Sequence, residues 1–225
     1  MSSFQRILIL PFLLACVGTE TGNPYEGDGA FGTESPMGIA PEPILEAGVI
    51  GLDAITLTGA DVGETGCDTV ATIFEGPRVV GLTDPERLTM TLREGTWCEV
   101  GLSFTAIGAT PTLSVSGSLI DGSSLEVQLW EGVDVQLVAT EPFALSEGEG
   151  IHLVLDIDRL FATASLGTAP REGGTVVIDE TTDPERAAAI AASFPPALRV
   201  VRDLNGDGVL DPEERDGPVL ATGAE

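Results

Sequence analysis

Leu88-Thr89-Met90-Thr91-Leu92-Arg93-Glu94-Gly95-Thr96-Trp97-Cys98-Glu99-Val100-Gly101-Leu102-Ser103-Phe104 alternates apolar and polar residues in two successive runs. Side chains along a strand point to opposite faces in turn, so Leu88, Met90 and Leu92 share one face and the threonines the other. Arg93-Glu94-Gly95-Thr96 reads as a turn. Beyond it Cys98, Val100, Leu102 and Phe104 share the inward face of a second strand, which points Cys98 at a core.

The same period recurs on both sides. A strand over 112–120 is followed by Asp121-Gly122-Ser123-Ser124, then by Leu125, Val127 and Leu129 at alternate positions. Glu131-Gly132 leads to Val133, Val135 and Leu137, and a two-residue acidic-Gly link between alternating runs signals a hairpin. Ile151, Leu153, Leu155 and Ile157 form a further inward face. About seven to nine short strands, spaced about ten residues apart, predict a mainly β fold over residues 46–158. The expected form is an antiparallel β-sandwich, Greek-key and immunoglobulin-like or barrel-like, without the Trp-disulfide spacing of immunoglobulin domains proper.

Helical signal comes only afterwards, so residues 159–225 are expected to form a short α-helical C-terminal segment. Asp183 can cap a helix that has Pro184 at its first position and Glu185 in its first turn. The alanine-rich run 187–192 propagates it, and Pro195-Pro196 ends it.

Charge narrows the function. The chain has 36 acidic and 10 basic residues for a net charge of −26, and every basic residue is arginine. Without lysine there is no Schiff-base or phosphate-loop lysine, and so acidic a chain is not expected to bind nucleic acid, which is held by cationic side chains.

At the start of the sequence, Arg6 precedes an apolar run, 7–14, too short to span a bilayer. Leu13-Leu14-Ala15-Cys16 resembles the bacterial lipobox. That resemblance implies a lipoprotein signal peptide over 1–15, a diacylated Cys16 and a lipid anchor in a membrane. Val17 in place of Asp then implies the outer membrane of a Gram-negative cell envelope. Ordinary signal-peptide cleavage nearby is the alternative. Residues 16–46, rich in Gly, Pro, Thr and Glu, read as a flexible tether. With Cys16 lipidated, Cys67 and Cys98 are left as an even pair in an exported protein. A bond between them would close a loop of about 32 residues and stabilise by about 3–4 kcal/mol. Two separate buried thiols are the alternative.

The strongest motif is Asp203-Leu204-Asn205-Gly206-Asp207-Gly208-Val209-Leu210-Asp211-Pro212-Glu213-Glu214, which fits D-x-[DN]-x-[DN]-G-x5-E at each defined position. A hard cation takes oxygens from Asp203, Asn205 and Asp207 at positions 1, 3 and 5, and from the Val209 carbonyl at position 7. Asp211 at position 9 acts through water, and Glu214 at position 12 closes the site with both oxygens, while Gly208 takes the sharp turn. The stretch resembles the EF-hand loop, in the single, dockerin-like form found in secreted bacterial proteins. The resemblance implies Ca2+, and with four acids and one amide oxygen as ligands magnesium is expected to compete poorly. A solvated acidic turn is the competing reading. Pro195-Pro196 leaves fewer than two turns for an entering helix, and Asp216-Gly217-Pro218 stops the exiting one.

Catalysis finds few candidates. The one histidine, His152, is expected on the polar, solvent-facing side of its strand, with no G-x-S-x-G elbow to pair with it. Zinc or copper sites built on several His and Cys are excluded by number. Asp156 and Asp158, about 7 Å apart on one strand face, are the pair a carboxylate hydrolase would use. The reading is a non-catalytic, calcium-binding exported lipoprotein with no catalytic residue. A surface adhesion or scaffold module for a protein or glycan, or a hydrolase, remain alternatives.

Overall fold

The computed structural model describes residues 24–34, 43–60, 66–83, 86–215 and 217–223. The expected signal peptide, Cys16 and tether residues 16–23 and 35–42 lie outside the described residues. In chain order the strands are β1 (Pro24–Glu34), β2 (Ile44–Ala60), β3 (Thr69–Gly81), β4 (Glu86–Arg93), β5 (Gly95–Phe104) and β6 (Leu113–Ser118). They continue with β7 (Ser124–Leu129), β8 (Val133–Leu145), β9 (Gly150–Asp156), β10 (Thr175–Asp179), β11 (Leu198–Asp203) and β12 (Val219–Gly223). The helices are α1 (Ile157–Phe161), α2 (Pro184–Ala192), α3 (Phe194–Ala197) and α4 (Pro212–Arg215).

The strands form one curled, mixed sheet in the order β10-β7-β6-β2-β5-β8-β12-β11-β9-β1-β4, with β3 on the free edge of β2. β2 serves two parts of it, pairing with β6 along 44–50 and with β5 along 52–60, and the register shift at Leu52/Ala54 lies where the partner changes. A bulge of this kind increases local twist and bends the strand. The curl brings β4 back beside β3 without a ladder between them, so the sheet is an incomplete barrel. It departs from the all-antiparallel expectation at two places, since β1 runs parallel to β9 and β10 parallel to β7.

Inward faces follow the sequence period. Leu88, Met90 and Leu92 of β4 and Trp97, Val100, Leu102 and Phe104 of β5 are buried, and Phe31 and Phe194 pack on Phe104 at centroid distances of 6.5 and 5.5 Å. Burying side chains of this size contributes about 1.5–3 kcal/mol each. Phe194 comes from α3, which carries Pro195 and Pro196 in its first turn, where proline is tolerated. Pro195-Pro196 therefore opens a second short helix after α2. The Asp183 cap and Pro184 start of α2 match the sequence reading.

Strand partners do not follow the sequence reading. β4 and β5 are separated by Glu94 alone, yet β4 pairs with β1, while β5 pairs with β2 and β8. Glu131-Gly132 does not close a hairpin either: β7 pairs with β6 and β10, β8 with β5 and β12. The amides of Trp130 and Glu131 donate instead to the Glu180 carboxylate, which ties this link to the segment before α2. Residues 159–225 supply β10, β11 and β12 to the sheet, so no domain boundary falls at 158. Within the expected tether, Pro24–Glu34 is a strand. Its glycines permit this, because a Cβ on Gly29 would occupy the space of the Ile151 carbonyl and the Met90 methyl.

The disulfide is present. Cys67 and Cys98 are bonded with their Cα atoms 6.0 Å apart, inside the range of about 4.4–6.8 Å that the bond requires. It staples the start of β3 to β5.

Candidate metal centre

β9 and β11 build the floor of the centre. Their antiparallel register sets Val201 opposite His152 and Asp203 opposite Gly150. Alternation then places His152, Val201 and Asp203 on one face, opposite the core face of Ile151 and Leu153, with Asp203 diagonal to His152 and within reach of it. The element that enters the loop is thus a strand. Its Val200 and Val201 are β-branched, which favours a strand, and β11 is paired on both edges by β9 and β12.

From Asp203 the chain curls back over β9. Gly206 and Gly208 take φ of 70° and 68°, the left-handed region that favours glycine. A Cβ at Gly206 would lie 2.7 Å from the Gly148 carbonyl, so the loop packs closely on the turn before β9. That turn is fixed by Arg202, whose guanidinium meets Glu149 at 2.7 Å. Burial pulls the Glu149 carboxyl upward, but the Ser146 amide and Arg202 outweigh it and hold it below the ordinary carboxylate range.

Side-chain oxygens of the loop are turned onto its own amides. Asp203 accepts from Gly206 N at 2.6 Å and Gly208 N at 3.0 Å, Asn205 from Asp207 N at 2.9 Å, and Asp207 from Val209 N at 2.8 Å. Asp211 caps α4, accepting from Glu213 N and Glu214 N, while Glu214 accepts from Asp211 N at 3.1 Å. This reciprocal capping box turns Glu214 back toward the start of the loop, where its other oxygen accepts from Leu204 N at 2.9 Å.

Of the residues singled out from the sequence, Asp203 and Glu214 are brought together, each 1% exposed. Asn205, Asp207 and Val209 are exposed, and Asp211 is half-buried; these four stand outside that buried pair. The third member is His152, which sequence reasoning placed in solvent. It is fully buried because the loop covers the second face of β9. Its ligand-type nitrogen and one oxygen each of Asp203 and Glu214 all lie within 4.8 Å of one another.

Hydrogen bonding assigns His152 its part. Nδ1 accepts the Ala30 amide of β1 at 2.9 Å, so the ring proton sits on Nε2, which donates to Glu214 Oε2 at 3.1 Å. Nε2 stands 3.9 Å from Asp203 Oδ2. A metal-bound histidine donates its second N–H to a carbonyl, carboxylate or water. Here that nitrogen is already an acceptor, and the ring acts on a carboxylate.

Two buried carboxylates this close repel and resist desolvation unless a cation or hydrogen bonds compensate them. Among the described residues, His152 is the one cationic-type side chain within ion-pair distance of either. The Asp156/Asp158 pair of the hydrolase reading is divided: Asp156 ends β9 and caps α1 through Arg159 N, and Asp158 lies inside α1. A surface groove of about 440 Å³, bordered by Thr56, Ser103, Asp134 and Gln136, holds one carboxylate.

No known family model, curated protein or solved structure matches the chain.

Proposed function

We propose that the 203–214 loop binds one calcium ion in a structural, non-catalytic role. What carries this reading is the burial of Asp203 and Glu214 against each other at the two ends of a twelve-residue loop, with His152 the one cationic-type side chain within ion-pair distance of either among the described residues. Four carboxylates and one amide oxygen at positions 1, 3, 5, 9 and 12, a glycine in left-handed conformation at position 6 and the carbonyl of Val209 suit a hard cation with six to eight oxygen ligands. The ion would convert a self-repelling turn into a clamp between β11, α4 and β9.

The lipobox-like stretch before Cys16 and the disulfide support placement outside the cytoplasm, on a lipid anchor in a bacterial envelope. In that setting an affinity of about 0.1–1 mM keeps a structural site filled. Calorimetric titration of the 225-residue chain and of Glu214→Gln with calcium chloride tests the reading. One site of that affinity in the wild type, abolished by the substitution, is the expected result; identical isotherms, or none in the wild type, overturn it.

A further inference from the structure

Glu214 has about four lone-pair positions on its carboxylate, and its hydrogen bonds fill most of them. Leu204 N donates to Oε1 at 2.9 Å; Asp211 N and His152 Nε2 both donate to Oε2, each at 3.1 Å. Oε1 therefore keeps a free position, while Oε2 keeps none. The distinction matters because calcium, with its larger and looser shell, takes both oxygens of the twelfth loop residue. Magnesium, held to six ligands in near-octahedral geometry, is satisfied by one.

The donors on Oε2 differ in kind. Asp211 N belongs to the capping box and moves with the loop. His152 belongs to β9, a strand paired on both edges, and its ring is pinned on the far side by the Ala30 amide. With the ring fully buried, rotating it away would leave that amide and Nε2 unpaired. Hence His152 cannot yield Oε2 to an ion as a surface group could.

We propose that His152 sets the ion selectivity of the loop: by donating to Oε2 it holds Glu214 as a one-oxygen ligand and narrows the discrimination between calcium and magnesium. The proposal rests on the calcium reading above and gives a positioning role to a residue outside the loop motif. Magnesium then competes well, contrary to what the ligand types alone imply.

The test is a pair of calorimetric titrations, calcium chloride and magnesium chloride, on the full chain as wild type, His152→Asn and His152→Gln. Asparagine offers an acceptor where Nδ1 stands, so the Ala30 amide keeps a partner, but it is too short to reach Glu214. Glutamine is long enough to place an amide N–H there. The calcium-to-magnesium affinity ratio is expected to rise at least about tenfold in His152→Asn and to stay within about threefold of wild type in His152→Gln. An unchanged ratio in His152→Asn, or the same rise in both variants, overturns the proposal.

Infrared difference spectra of the calcium-loaded wild type against Glu214→Gln read the same point with His152 in place, should a variant fail to fold. A carboxylate band of one-oxygen type supports the proposal, and a two-oxygen band overturns it. If the wild type binds neither ion, the calcium reading itself falls. If it binds calcium and the ratio ignores His152, only the role of the histidine falls.

Discussion

The Cys67–Cys98 bond and the 203–214 loop hold the same end of the sheet, where β5 begins and β11 ends, by opposite means. The disulfide joins two side chains covalently and asks nothing of the solvent. The loop gathers carboxylates that repel and closes them with backbone amides, and in the function proposed above a cation would supply the rest. One device constrains the unfolded chain; the other forms only in the folded one. Sequence spacing alone suffices to propose both, but what holds Glu214 in the second depends on which strand lies beneath it.

Removing the staple gives the largest expected effect. A Cys67→Ser, Cys98→Ser protein should lose about 3–4 kcal/mol of stability by denaturant titration, from a closed loop with a sequence separation of 31. Its calcium affinity should not change, because the bonded residues share no partner with Asp203 or Glu214. A joint loss of both would show that the two devices are coupled and would break the contrast.

Filling the loop comes next. Calcium at ten times its dissociation constant should add about 1.4 kcal/mol, a rise of a few degrees in Tm by calorimetry. Glu214→Gln should cancel that rise while leaving the effect of reducing the disulfide in place. A rise that survives the substitution would move the ion elsewhere.

The smallest effect separates both devices from ordinary turns. Asp179 at the end of β10 accepts from Thr182 N and Thr181 N, and these bonds hold its carboxyl below the usual value. Because the folded value is depressed, the stabilisation is present above the unfolded value of about 3.9 and is lost as pH falls through the lower folded one. The contribution of Asp179 to thermal melts should be constant from neutrality to about pH 5 and decline below about pH 4. Asp179→Asn should blunt that decline slightly. A disulfide gives no such slope, so a decline of equal size in the reduced and oxidised proteins sharpens the contrast.

Local chemistry was legible. The inward faces of β4 and β5, the Asp183–Pro184 start of α2 and the left-handed Gly208 all follow from a few adjacent residues. Strand partners were not, since pairing is decided between segments far apart: β1 joins β9 across more than a hundred residues, and Glu131-Gly132 was claimed by Glu180. One missed signal was available. Ile151-His152-Leu153-Val154-Leu155 is a nearly unbroken apolar run, which marks a strand covered on both faces, and His152 lies inside it.

The sequence by itself determined the mainly β character, made Cys67 and Cys98 the candidate pair for a bond, and marked the twelve residues that match a cation-loop pattern, because each rests on spacing along a short stretch. Tertiary structure alone decided that β1 closes on β9 and that a histidine from β9 donates to the last residue of the loop. A contact over 62 residues leaves no periodic trace in the chain. It exists because two strands share a register, and that register is chosen by burial of the whole sheet.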